Sequence, residues 1–370
     1  MRTRWVMPMW MALILGTAMI SCGSEGPAEE SALTPQGEKP DDGAADPAQP
    51  GRPQLGRCVD APRPVFESPE KWQHPLSGLV AMQPAGHSAQ DLLLPEGEPV
   101  ILRGKFAYGV FSKDLEGESI QVWMDDCSGE YKLLGEAVTD SDGRIALSLS
   151  ADQVPAIGEY ALHFRVKGDS SATAAVLCIL PPQTELVVFD IDGTLTTSDT
   201  ELISDVFTDL FTPILHGSYV PQARASAREL TRLRATQGYQ LLYLTGRPYL
   251  LTERTRLWLA DLGFARGSLH VTDSNAEAVP NVAGVGTFKA SYLTGLKKLG
   301  FVLRAAYGNA TTDIHAYGQA GIDPQRTFIV GPNGGKANTV ALGDGYDAHL
   351  TDPQLTETVQ QPFQLPQPRP

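Results

Sequence analysis

Cysteine is scarce in this sequence, four among 370 residues, so the chain is not one of the small scaffolds that replace a core with dense cross-links. Histidine is nearly as thin at seven, and no Cys or His spacing resembles a zinc site. Basic residues are outnumbered: 29 Lys and Arg against 43 Asp and Glu leave a net charge of −14. That excludes a general nucleic-acid binder, which needs surplus Lys and Arg to neutralise phosphates. The interior holds no apolar run able to cross a bilayer, which takes about 20 residues. What is present suits a folded protein. A hydrophobic content of 42% over 370 residues leaves room for two domains with appendages and a sizeable core.

The N-terminus stands apart. Met1-Arg2-Thr3-Arg4 is basic, Trp5 to Ile20 is apolar, and Ser21-Cys22 precedes the first polar stretch. The order resembles a bacterial lipoprotein signal over 1–22, which implies lipidation at Cys22 and an exported protein anchored to a bacterial membrane, periplasmic or at the cell surface. Ordinary signal cleavage and an uncleaved anchor are the alternatives, since Met19 is unusual for a lipoprotein signal. Residues 23–56 are rich in Gly, Pro, Ala, Ser and Glu, cannot bury enough surface to offset their ordering entropy, and read as a disordered tether. Of the remaining thiols, Cys127 with Cys178 could form one disulfide, leaving Cys58, or all three could be unpaired.

Residues 57–97 are a poorly defined lead-in that fits neither the helical nor the strand period. Over 98–182 the pattern becomes clear. Val100 to Phe106, Ser119 to Met124, Tyr131 to Gly135, Arg144 to Ser150, Tyr160 to Val166 and Thr173 to Leu180 are short, apolar or alternating, and separated by Gly, Asp or Ser. This spacing predicts a small β-sandwich, with Ile145, Leu147 and Leu149 on one face and Leu162, Phe164 and Val166 on another. Asp140-Ser141-Asp142-Gly143 lacks the further acids of a calcium loop and reads as a turn. Pro181-Pro182 closes the region as a stiff hinge.

The rest is organised around Thr184-Glu-Leu-Val-Val-Phe-Asp190-Ile-Asp192-Gly-Thr194. A buried strand that stops at two carboxylates and a glycine is how a central parallel strand delivers side chains to the carboxyl edge of an open sheet. Two acids so close repel each other, so a site that keeps both ionised needs a cation. Glu201 to His216 and a segment opening at Pro221 and ending at Gly238 have helical periodicity. Tyr239 to Leu244 is a second strand ending in Thr245-Gly246-Arg247, where a hydroxyl can bond a phosphate oxygen. Arg247 either adds positive charge or orients the loop through a salt bridge. Lys289 lies near a predicted helix start, against the helix dipole, which suggests an anion opposite. Val302 to Tyr307 leads to Asn309 and, in the first turn of a further helix, Asp313.

Asp-Ile-Asp-Gly-Thr resembles the first motif of haloacid dehalogenase-like (HAD) phosphohydrolases. The four motifs together look like the catalytic domain of lipins, the magnesium-dependent phosphatidate phosphatases, over about Glu185 to Pro332. The resemblance implies an α/β fold at 183–345: a HAD-like Rossmannoid three-layer sandwich with a parallel sheet and no large cap. It also implies Mg²⁺ held by Asp190, Asp192 and Asp313, Asp190 as nucleophile and Asp192 as general acid and base. Thr245, Lys289 and Arg247 would hold the substrate phosphate. The activity implied is hydrolysis of phosphatidate at a phospholipid membrane; protein partners are not indicated. Asn309 stands where many members carry an acid. Two alternatives belong beside it. Similar domains in lipid-transfer proteins bind phosphatidate without catalysis and lack the nucleophile, and the substrate could instead be a soluble organic phosphate. Gly331-Pro-Asn-Gly-Gly-Lys336 has the wrong spacing for a nucleotide loop and reads as a turn. The Pro- and Gln-rich residues 346–370 read as a tail without regular packing.

Overall fold

The computed structural model describes residues 57–58, 64, 66, 68–109, 112–125, 130–197, 222–274 and 276–359. Cys22, the 1–22 and 23–56 segments, Cys127, the helix expected at Glu201 to His216 and Pro221 lie outside them.

The first part is strand-built because its apolar residues alternate and its breaks fall on turn formers. In chain order come β1 Arg57–Cys58, α1 Ser77–Val80, β2 Ser88–Ala89, β3 Leu92–Pro95, β4 Ile101–Lys105, β5 Ala107–Tyr108 and β6 Lys113–Asp114. After them follow β7 Ser119–Asp125, β8 Tyr131–Val138, β9 Arg144–Ser148, β10 Gly158–Val166 and β11 Ala172–Leu180. One sheet runs β3-β11-β10-β7-β8 with β1 on β10, a second runs β2-β4-β9, and β5 pairs β6. The inner faces meet through Leu102, Ile120, Val122, Leu162, Phe164 and Val166. Asp140 turns the chain as expected, its Oδ1 accepting from Asp142 N and Arg144 N at 2.9 and 2.8 Å.

β10 departs from the one-face-buried pattern, because His163 and Arg165 on its other face are buried as well. The lead-in covers that face. Arg165 donates to the Ser68 carbonyl at 3.2 Å and lies over the Phe66 ring, while His163 meets Tyr131 Oη at 3.2 Å. Cys178 is a free, buried thiol.

The second part alternates strand and helix: β12 Glu185–Phe189, α2 Ala227–Thr236, β13 Gln240–Pro248, α3 Thr252–Asp261, β14 Ser268–Thr272, α4 Thr287–Lys298, β15 Val302–Gly308, α5 Thr311–Gln319, β16 Thr327–Ile329, β17 Val340–Ala341 and α6 Asp347–Leu350. The strands form one parallel sheet in the order β14-β13-β12-β15-β16-β17. Both of its faces are covered, which is why Leu186 to Phe189 is uniformly apolar rather than alternating. Val187, Phe189, Leu241 and Tyr243 pack against α2 and α3; Leu186, Val188, Leu242 and Leu244 pack against α4 and α5.

Two expectations shift here. Helix α2 starts at Ala227, after Ser226 in a left-handed conformation, while Gly238 with φ 90° lies just past its end as expected. Residues 346–359, expected to be unpacked, fold back instead. Tyr346 and Leu355 are in the core, and Val359 N donates to the Gln237 carbonyl at 3.0 Å.

The sandwich and the parallel sheet are joined through Asp91, whose two oxygens accept from Val176 N, Leu269 N and both terminal nitrogens of Arg256 at 2.8 to 3.0 Å. Ser88 meets Thr252 at 2.8 Å and Ser112 meets Tyr249 at 2.5 Å, so the sandwich also touches the segment that follows the end of β13.

Candidate functional site at the carboxyl edge of the parallel sheet

β13, β12 and β15 are adjacent, and their carboxyl ends carry Thr245, Asp190 and Asn309 to one rim. Asp190 N donates to the Tyr307 carbonyl at 2.9 Å, which continues the ladder one residue past β12 and anchors the first acid. Gly193 then turns with φ 73°. A Cβ there would lie 2.1 Å from Asn309 Nδ2, so only glycine admits this approach. Thr194 returns beneath the turn and its hydroxyl donates to Asp190 Oδ2 at 2.8 Å.

Lys289 occupies the first turn of α4, and Asn281 caps the preceding turn through Gly284 N at 2.8 Å. The residue is 2% exposed, and its ammonium donates to Asp190 Oδ1 at 2.6 Å and Asp313 Oδ1 at 2.7 Å. The other Asp313 oxygen caps α5, accepting from Asn309 N and Ala310 N at 3.0 Å each. Asp192 belongs to a second arrangement. Arg247 Nη2 reaches its Oδ1 at 2.7 Å and Nε its Oδ2 at 2.9 Å, while Thr245 Oγ1 donates to Oδ2 at 3.1 Å. Arg247 is itself held by Thr255 at 3.0 Å, and the ion pair realises the loop-orienting alternative for that arginine.

Burial raises the Asp190 carboxyl to about 7, the neighbouring Asp313 charge adds to the rise, and the single shared ammonium does not offset them. Lys289 is moved up, because its two carboxylates outweigh the burial that opposes them. For Asp192 burial also favours the neutral form, but the Arg247 charge and the Arg247 and Thr245 hydrogen bonds prevail and hold it below the usual range. One acid is therefore left under-neutralised, while the partners of the other favour its carboxylate form.

All six candidates from sequence, Asp190, Asp192, Thr245, Arg247, Lys289 and Asp313, are thus at one rim. Thr194 and Arg224 were missed. Thr194 is legible as the hydroxyl following the glycine turn. Arg224, which donates to the Gly193 and Thr194 carbonyls at 2.7 and 3.2 Å, sits in no motif and gave no signal.

Two family models match this chain: the beta-sandwich domain of PITM 1-3 over residues 85–179 and the LNS2 domain of PITM 1-3 over residues 187–331. The similarity is to phosphatidylinositol transfer proteins. Protein retinal degeneration B of Drosophila melanogaster is 33% identical over 276 residues, 72% of this chain and 20% of that protein. Membrane-associated phosphatidylinositol transfer protein 1 of Rattus norvegicus is 31% identical over 310 residues, covering 81% and 23%. Membrane-associated phosphatidylinositol transfer protein 3 of Homo sapiens is 31% identical over 272 residues, covering 72% and 26%. The chain therefore spans about a fifth to a quarter of the length of these relatives, 20% to 26%. Among solved structures, the HAD domain of effector protein Lem4 from Legionella pneumophila aligns at 8% identity and a TM-score of 0.27 over 44% of this chain and 86% of that one, too slight a likeness to carry an argument.

These matches correct several expectations. The similarity is to the LNS2 domain and its sandwich partner, not to lipin phosphatases, and it extends through the β-domain that the lipin resemblance left out. Two of these three relatives are named for phosphatidylinositol transfer, so the reading as a magnesium-dependent phosphatase gives way to its non-catalytic alternative. The geometry fits that alternative: the Asp192 carboxylate is already engaged by Arg247 and Thr245. The matched proteins are animal proteins, two of them named as membrane-associated, which sets aside the bacterial lipid-anchored lipoprotein and its exported location. Among the described residues no helix is long and apolar enough to cross a membrane.

Proposed function

We propose that this chain is a non-catalytic phospholipid-binding module, built on a HAD-like α/β fold without a large cap, that recognises a phosphomonoester headgroup of the phosphatidate type at the carboxyl edge of its parallel sheet. The observation that carries the reading is the Asp192–Arg247 ion pair, which leaves a polar rim while tying up the group that would move protons. The relatives' names, which place phosphatidylinositol transfer in proteins containing this pair of domains, support a lipid partner.

A Mg²⁺ ion fits the donor set. The oxygens of Asp190 and Asp313 with the main-chain carbonyl of Asp192 are the hard ligands such an ion takes, and the two carboxylates share the single Lys289 ammonium, which leaves one negative charge unbalanced. Among the described residues no group of three His, Cys, Asp or Glu side chains forms a cage, so two side chains and one carbonyl are what the chain offers. A bound divalent ion would supply positive charge toward a phosphate. Lys289 orients the two carboxylates, and Thr245 holds the Asp192 side chain beside them.

Vesicle flotation tests the reading. The full chain should float with phosphatidylcholine vesicles doped with phosphatidate when Mg²⁺ is present, and lose most of that binding with EDTA or with Lys289→Met. Equal binding to undoped vesicles, or release of inorganic phosphate from phosphatidate, would overturn it.

A further inference from the structure

In the buried cluster three carboxylates, Asp190, Asp192 and Asp313, face two cations, Lys289 and Arg247. On its own such a cluster repels an approaching phosphate, so recognition needs positive charge at the mouth that no carboxylate already neutralises. Arg224 and Lys336 are two such side chains. Arg224 donates to three main-chain carbonyls, those of Gly193, Thr194 and Asp344. Lys336 is exposed, and its ammonium donates to the Asn333 side-chain oxygen at 2.5 Å.

Lys336 ends the Gly331-Pro-Asn-Gly-Gly-Lys loop, which leaves the carboxyl end of β16, two strands from β12. The loop is fastened to the site. Asn333 Nδ2 donates to the Asn309 carbonyl at 2.9 Å, and the Asn309 side chain packs on Gly193 and lies 3.2 Å from Thr194 Oγ1. Left-handed residues at Gly331 (φ 81°), Gly335 (φ 85°) and Ala337 (φ 51°) fold it tightly around Lys336. Lys336 is thus tied through Asn333 to the Asn309 main chain, and the Asn309 side chain in turn accepts from the Thr194 hydroxyl that bonds Asp190.

We infer that Lys336 is a specificity-determining residue of this site: its ammonium engages the phosphate of a phosphomonoester headgroup and favours it over a phosphodiester headgroup. The inference rests on the phospholipid-binding reading above. A phosphomonoester carries about −1.5 to −2 charge near pH 7, whereas a diester carries one. An ammonium is a compact point charge with three donors, suited to respond to that difference.

The test uses the full chain, Mg²⁺ and phosphatidylcholine vesicles containing either phosphatidate or phosphatidylglycerol, with glycerol 3-phosphate as a soluble competitor. Lys336→Met should weaken binding to phosphatidate roughly three- to tenfold, the size of one solvent-accessible charge-assisted contact, and change phosphatidylglycerol binding less than twofold. Lys336→Arg should retain the preference, and Lys298→Met, an exposed lysine at the far end of α4, should match the unaltered chain. Displacement by glycerol 3-phosphate would mark the phosphate itself as the ligand, and its failure would mark the membrane-bound headgroup; either fits. Equal losses on both lipids, or none, would overturn the inference. An unaltered chain with no phosphatidate preference would overturn the phospholipid reading and the inference together.

Discussion

Asp91, at the junction of the sandwich and the parallel sheet, and Asp190, at the carboxyl edge, are both buried acids facing a cation. Their surroundings differ in one respect. Asp91 has a guanidinium to itself and two main-chain amides, so both of its carboxylate oxygens are satisfied and its charge is matched one to one. Asp190 shares one ammonium with Asp313, and its carboxyl is pushed up to about 7 by burial and that neighbour. A closed set of charges holds two parts of a protein together, while an open set holds something for a ligand. On the function proposed above, the same residue types serve stability in one place and recognition in the other because of how the partners are counted.

The comparison breaks most visibly at Asp91. Asp91→Ala leaves Arg256 without its partner and two amides unsatisfied, and should cost about 3–5 kcal/mol, read as a lower urea midpoint with an unchanged slope. An unaltered midpoint would mean that the junction does not depend on this acid.

Asp190→Asn should act in the opposite direction. Its folded-state value lies above the unfolded one of about 3.9, so the native state holds the proton more tightly. The acid's contribution is most favourable below about pH 4 and declines as pH rises toward 7. The amide removes that decline, and the variant should gain about 1–3 kcal/mol over the original at pH 8 and little at pH 4. Only the difference between the two proteins is diagnostic. Buried neutral His87 and His349, both lowered to about 4 by burial, destabilise each of them alike as pH falls below about 6.5. A variant less stable at pH 8 would show that the site's charges are already matched.

The smallest effect is expected where the two regions touch through hydroxyls. Ser112→Ala removes the contact to Tyr249 and should cost about 1 kcal/mol or less, measured by thermal denaturation. A loss as large as that of Asp91→Ala would move the mechanical junction from the ion pair to this contact.

The rim was legible in sequence because each of its residues ends an apolar run: Asp190 after Phe189, Thr245 after Leu244, Asn309 just past Tyr307. Lys289 was legible through its unfavourable place in a first helical turn. The clamp on Asp192 was only half legible, since Arg247 fitted two roles and a distance had to choose between them. Asp91 was illegible. It lies in the stretch with no clear period, and its partners Val176, Arg256 and Leu269 are 85, 165 and 178 residues away. The strand-end motifs resemble those of lipins because they report a fold edge, whereas the sandwich, which the second family model matches, carries no motif at all.

The match to the LNS2 domain stops at residue 331, but the fold does not. Tyr346 is fully enclosed and its hydroxyl donates to the Thr194 carbonyl at 3.0 Å, so a ring from beyond the matched segment props the loop that carries Asp190 and Asp192. A fragment cut at the edge of the family match would lose that prop, and any shortened version meant to keep the rim intact has to run through Val359.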